Sequence, residues 1–172
     1  MRILPTPSWL LFCVPSLLAA CVSAPVVPPS LESQVDPTLT FAQVRETPDS
    51  YRGRLLVIGG EVLVARRMKD GTRIEILQIP LGRWRQPLAD RTTSEGRFVA
   101  MHKDALDPAT LPPGTLLTLV GEVAGAVRLP IDEVEYPYPI LEVKSLTIWP
   151  APEPPAYYYY YYSPRPIPYW RY

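Results

Sequence analysis

The sequence predicts a mainly β protein: a small antiparallel OB-like barrel of about five to six strands with one short N-terminal helix, a β-sandwich being the alternative. Three observations point there. Twenty-three prolines in 172 residues leave little room for long helices, because proline is confined to helix starts, strand edges, turns and extended linkers. The apolar stretches are short, rich in branched residues, and bounded by turn signals such as Asp70-Gly71 and Pro112-Pro113-Gly114. Two of them carry glycine inside, at Gly59-Gly60 and Gly121, as expected of a strand that bulges or coils enough to serve both halves of a small barrel.

The elements follow in order. Residues 1–20 open with the single charge Arg2 and continue through Leu10, Leu11, Phe12, Val14, Leu17 and Leu18, an apolar run of secretory-signal length. It ends in Leu18-Ala19-Ala20-Cys21, which resembles a bacterial lipobox, with Cys21 the acylated first residue of the mature chain. The other cysteine, Cys13, leaves with the signal, so the mature chain cannot form an internal disulfide in an oxidising periplasm. Each buried methylene contributes roughly 0.8 kcal/mol, so one acyl chain anchors marginally and two or three anchor stably. Beyond Cys21 no stretch approaches the roughly 18 apolar residues of a spanning helix. Val22-Ser23 follow the cysteine, and the absence there of the aspartate that resembles an inner-membrane retention signal favours the outer membrane.

Residues 21–37 read as the acylated cysteine and a Pro-rich tether, long enough at about 3.1 Å per residue to hold a domain some 45 Å from the bilayer. The folded domain is expected over residues 38–150. Thr38 or Thr40 caps a short helix at 41–46, whose Phe41 and Val44 share a face and which Pro48 ends. Strands are predicted at 54–64, 72–79, 96–102, 115–125 and 140–149, with 82–95 a polar surface loop carrying Trp84. From Ala151 the composition changes to prolines around the run Tyr157 to Tyr162, predicting an extended, disordered Tyr/Pro-rich tail over 151–172. Its aromatics suit a lipid interface, a polyproline-binding partner or a spacer.

Several motifs in this order resemble the Slp family of outer-membrane lipoproteins, the starvation-inducible type. They are Tyr51-Arg52-Gly53, Gly59-Gly60-Glu61, Gln78-Ile79-Pro80-Leu81, Glu95-Gly96-Arg97-Phe98, Leu106-Asp107-Pro108, Pro113-Gly114, Val120-Gly121-Glu122-Val123-Ala124-Gly125, and Tyr136-Pro137-Tyr138-Pro139 through Trp149-Pro150. The resemblance covers about residues 38 to 150 and implies an outer-membrane lipoprotein made in stationary phase or under stress, with no established catalytic activity. The tyrosine-rich tail lies outside the pattern.

The chemistry available is sparse. Basic and acidic residues balance at 17 each, which gives no electrostatic footprint for nucleic acid. His102 is the chain's one histidine and reads as a strand-edge residue. No Gly-x-Ser-x-Gly elbow accompanies it. With one histidine and no free mature thiol, a metal site would have to be built from carboxylates, and none is assigned. Glu61, Glu75, Glu122 and Glu142 interrupt apolar strands, and a period of two places them on the solvent face. No catalytic residue and no cofactor is assigned.

The candidate ligand contacts are Tyr136, Tyr138 and Trp149. The two tyrosines form either a stacking platform or a cover over the barrel's open end. The leading function is a non-enzymatic, lipid-anchored outer-membrane protein facing the periplasm, with a structural, stress-related or interaction role. Its membrane contact runs through the acyl chains, and an envelope protein or glycan is the candidate partner. The alternatives are an OB-type module binding an oligosaccharide such as peptidoglycan and, more weakly, an envelope hydrolase.

Overall fold

The structure, a computed structural model, describes residues 25–150; the signal segment, Cys21 and the tyrosine-rich tail lie outside the described residues. Two short helices come first, α1 Pro29–Glu32 and α2 Phe41–Glu46. Five strands follow: β1 Leu55–Met68, β2 Gly71–Gln78, β3 Arg97–His102, β4 Leu116–Ile131 and β5 Val134–Ile148. They close into a ring in the order β1-β2-β3-β5-β4, with β1 pairing back onto β4. This is the expected OB-like barrel, and the β1–β4 ladder is the seam that a sandwich would lack.

Four seams are antiparallel, and β3–β5 is parallel. Parity requires it: strand direction cannot alternate all the way around a ring with an odd number of strands. Gly60 sits where β1 changes partner, opposite Gln78 on β2 and Leu117 on β4. The bulge expected near Gly59-Gly60 falls slightly later, between Val62 and Val64, and β4 is bulged between Val120 and Gly121 and between Val123 and Gly125. Such irregularities let a sheet coil tightly enough to close.

The inner face is filled by Leu56, Ile58, Ile74, Ile76, Phe98, Leu119 and Leu141, among others, and α2 adds Phe41 and Val44 to the same cluster. Thr40 rather than Thr38 caps α2. Its hydroxyl accepts from the Gln43 amide at 3.3 Å, and the Gln43 side chain accepts from the Thr40 amide at 2.9 Å, a reciprocal capping box. Thr38 instead donates twice to Asp36.

Two segments differ from their sequence reading. Residues 25–37 do not extend as a tether: Val27 is buried, α1 forms with Pro29 at its first position, and Val35 bridges to Leu55. Proline content signalled an extended chain, but Pro29 is pre-set for a helix start, and the burial of Val27 depends on the folded surroundings, which local composition does not reveal. The last hairpin is also longer than predicted. The β4–β5 register runs out to Ile131 opposite Val134, so Tyr136-Pro137-Tyr138-Pro139 lies within β5. Asp132 takes the turn's positive φ of 52° without a glycine, a conformation that Asp tolerates. Pro137 and Pro139, two apart, put their missing N–H groups on one edge, leaving the other to pair with β4.

Candidate functional site

The motifs of the sequence meet in pairs across the fold. Arg52 donates to the Ala124 carbonyl and lies over Gly125, where any Cβ would run into its guanidinium, while Asp49 holds the same arginine at 2.7 Å. Gly96 stands beside Tyr136: a Cβ there would fall 2.5 Å from the tyrosine hydroxyl. Tyr138 stacks edge-on to Tyr136, with ring centroids 5.1 Å apart, and is only 1% exposed. The expected platform therefore has no open face at Tyr138. On β5 the two tyrosines share a face by the period of two; Tyr138 is enclosed, whereas Tyr136 is half-buried with its hydroxyl beside Gly96.

Trp149 stands at the other end of the β4–β5 ladder, and it does line an open cleft. The cleft, of about 470 Å³, is walled by Glu61 of β1, Arg91, the Pro112-Pro113-Gly114-Thr115 loop, Trp149 and Pro150. Gly114 makes the loop turn with a φ of 94°. The loop is stitched to β1 by the Gly114 amide donating to the Val62 carbonyl and the Val62 amide donating to the Thr115 carbonyl, at 2.9 and 2.8 Å. The Trp149 indole N–H donates to the Thr118 hydroxyl at 2.9 Å, and that buried hydroxyl donates onward to the Arg85 carbonyl at 2.6 Å. The indole's polar edge is thus satisfied inside the fold, as buried polar groups require.

Glu61 is the largest departure from the sequence reading at this site. The period of two placed it in solvent, yet it is 5% exposed. The chain after β2 covers this part of β1: Leu81 packs on Gly59, and Arg91 reaches Glu61. Arg91 grips both carboxylate oxygens, its Nε at 2.7 Å and its terminal nitrogen on the other oxygen, a fork geometry that favours ionised partners. Hydrogen bonding to Glu61, with its charge second, holds the Arg91 guanidinium above its ordinary value. Asp90 positions Arg91 by capping the 3₁₀ turn Arg91–Thr93, accepting from the Thr92 amide and hydroxyl at 2.8 and 2.6 Å. Those bonds hold the Asp90 carboxyl below its ordinary range.

The other strand glutamates are also paired. Glu75 meets Arg73 at 3.1 Å, and Lys144 joins Glu122 at 2.7 Å to Glu142 at 3.5 Å. Glu122, through its hydrogen bond, is the main cause of the Lys144 ammonium lying above its usual value. His102 accepts from the Asp104 amide at Nδ1, 3.1 Å, which places the proton of the neutral ring on Nε2. Among the described residues no group of three His, Cys, Asp or Glu is arranged to hold a metal ion, and no helix is long and apolar enough to cross a membrane. The cleft offers an indole, proline rings and a fixed ion pair, which suits a ligand with one apolar face and a polar rim. Sequence reasoning named Trp149 and missed Arg91, although Asp90 before Arg91-Thr92 is a readable capping signal.

The chain is 30% identical over 134 residues to the uncharacterized lipoprotein YeaY of Escherichia coli K12, covering 77% of this chain and 67% of that one. It is 21% identical over 132 residues to an uncharacterized protein of Haemophilus influenzae, covering 77% of this chain and 70% of that one. The sequence pattern of a family described as outer membrane lipoproteins matches from Leu18, just ahead of Cys21, to Tyr172, and so takes in the barrel and the cleft along with both ends. The chain belongs to the outer membrane lipoprotein Slp family.

Proposed function

We propose that this protein is a non-enzymatic lipoprotein anchored in the outer membrane by acyl chains on Cys21. Its barrel faces the periplasm and takes a structural, stress-related or interaction role in the envelope. One observation carries the reading: the lipobox-like Leu18-Ala19-Ala20-Cys21 stands four residues before Pro25, where the described chain begins, and by Val26 and Val27 the chain is already docked, the Val26 carbonyl accepting from the Thr147 hydroxyl of β5 and Val27 buried. An anchor at Cys21 therefore holds the domain close to the bilayer. Cys21→Ser is expected to leave an unacylated precursor that is lost from the outer-membrane fraction. Unchanged processing with full retention would refute the anchor.

The cleft favours a second reading, an OB-type module that binds an oligosaccharide such as peptidoglycan. An aromatic plane beside a fixed carboxylate–guanidinium pair matches a sugar's apolar face and hydroxyl rim. Saturable retention on purified sacculi is expected, with Trp149→Ala weakening it by up to roughly tenfold, the ~1.5 kcal/mol an aromatic contact adds beyond its area. A wild-type protein that is not retained removes this reading. The hydrolase reading gains no support, since each of the four strand glutamates is engaged by a cation.

A further inference from the structure

Trp84 is 74% exposed, the largest apolar side chain that the described fold leaves in water. It is also held there firmly. The turn that carries it is closed by the Arg85 amide donating to the Gly82 carbonyl at 2.9 Å and the Gly82 amide donating to the Gln86 carbonyl at 2.8 Å. Arg85 takes a φ of 59°, a left-handed conformation that a non-glycine residue keeps only where its surroundings fix it. They do so from both sides. The Arg85 side chain forms a fork with Glu32 of α1, at 2.9 and 2.5 Å, and its carbonyl receives the buried Thr118 hydroxyl. The guanidinium of Arg83 lies 5.0 Å from the Trp84 ring centroid, and Leu88 is exposed in the same loop.

Pro25 and Val26 line one groove with Trp84. Cys21 is four residues upstream of Pro25, and four residues span at most about 14 Å fully extended. We propose that the Trp84 turn rests on the phospholipid interface of the membrane holding the acyl chains, an inference that rests on the Cys21 anchor proposed above. An indole is suited to that layer, where its apolar body leaves water and its N–H stays hydrated. Arg83 supplies a cation for lipid phosphate, and Leu88 adds apolar area. The turn's rigidity presents the ring without further ordering on contact.

The test uses mature acylated protein in vesicles of phosphatidylethanolamine and phosphatidylglycerol, part of it bromine-labelled in the acyl chains. Trp149→Phe with Trp170→Phe leaves Trp84 as the fluorophore, and its emission is expected to shift to the blue and be quenched by shallow bromines. Because Trp149→Phe removes the bond to Thr118, a nitroxide on Arg83→Cys in a chain keeping its tryptophans gives a second reading, with accessibility to oxygen rising and to a nickel chelate falling. Protein that sediments with the vesicles while Trp84 stays unquenched and the nitroxide open to chelate overturns this inference and leaves the anchor standing. A blue shift that follows protein concentration without bromine quenching also overturns it, in favour of contact between copies. Protein that fails to sediment overturns the anchor and this inference together.

Discussion

Gly60→Ala is expected to destabilise the barrel by about 3 kcal/mol, the upper end of what overpacking costs, and to lower the melting temperature by on the order of 10 °C. A Cβ at this position would fall 2.6 Å from the Leu77 carbonyl oxygen and collide with the Ile76 side chain. Ile76 could change rotamer, but the carbonyl belongs to the β2 backbone and cannot withdraw without breaking the ladder. Gly60 also faces Gln78 on one side and Leu117 on the other, so relief toward one neighbour presses on the second. Thermal unfolding followed by circular dichroism checks it. A variant melting with the wild type would mean that β1 does not approach β2 as closely as the structure has it.

Phe98→Ala is expected to cost about 3–5 kcal/mol, the range for removing a buried phenylalanine. Phe98 is fully buried on β3 opposite Ile76, and its ring centroid lies 5.8 Å from that of Phe41, tilted by 57°. The pair joins α2 to the barrel interior. A double-mutant cycle with Phe41→Ala separates this contact from plain cavity formation: denaturant unfolding is expected to give a coupling of about 0.5–1.5 kcal/mol. Strict additivity would show that α2 lies over the core without depending on Phe98.

Both residues stand where local pattern spoke clearly. Branched apolar runs, the Asp70-Gly71 turn and the glycines inside strands are properties of a few adjacent residues, and they led to five strands and a coiled barrel. The cap of α2 was legible to within two residues, as Thr38 or Thr40, and the structure settles on Thr40 with Gln43 as its reciprocal partner. What escaped was set by segments far apart in the chain. Glu61 is buried because Arg91, thirty positions later, folds over it. Tyr138 is enclosed because β5 begins six residues before the predicted strand, at a turn where Asp132 does the work usually signalled by glycine. Val27 is buried, and the carbonyl of Val26 beside it accepts from the Thr147 hydroxyl of β5, 121 positions later. Trp149 was legible as an aromatic at a strand end, whereas its partner Thr118 looked like any strand threonine until the fold placed the indole on it.

The parallel junction between β3 and β5 acts as a dislocation in an otherwise alternating lattice. An odd ring must hold one such defect, and this fold has placed it where the register spans only Val99, Ala100 and Met101 against Ile140, Leu141 and Glu142. Every other junction is longer, and the β4–β5 ladder runs nearly the whole length of both strands. Parallel pairing is also slightly weaker per residue, so resistance to local opening is lowest along this line. The barrel has, in effect, a clasp: four continuous welds and one short fastening, which Phe98 and Leu141 on its two sides keep shut from within.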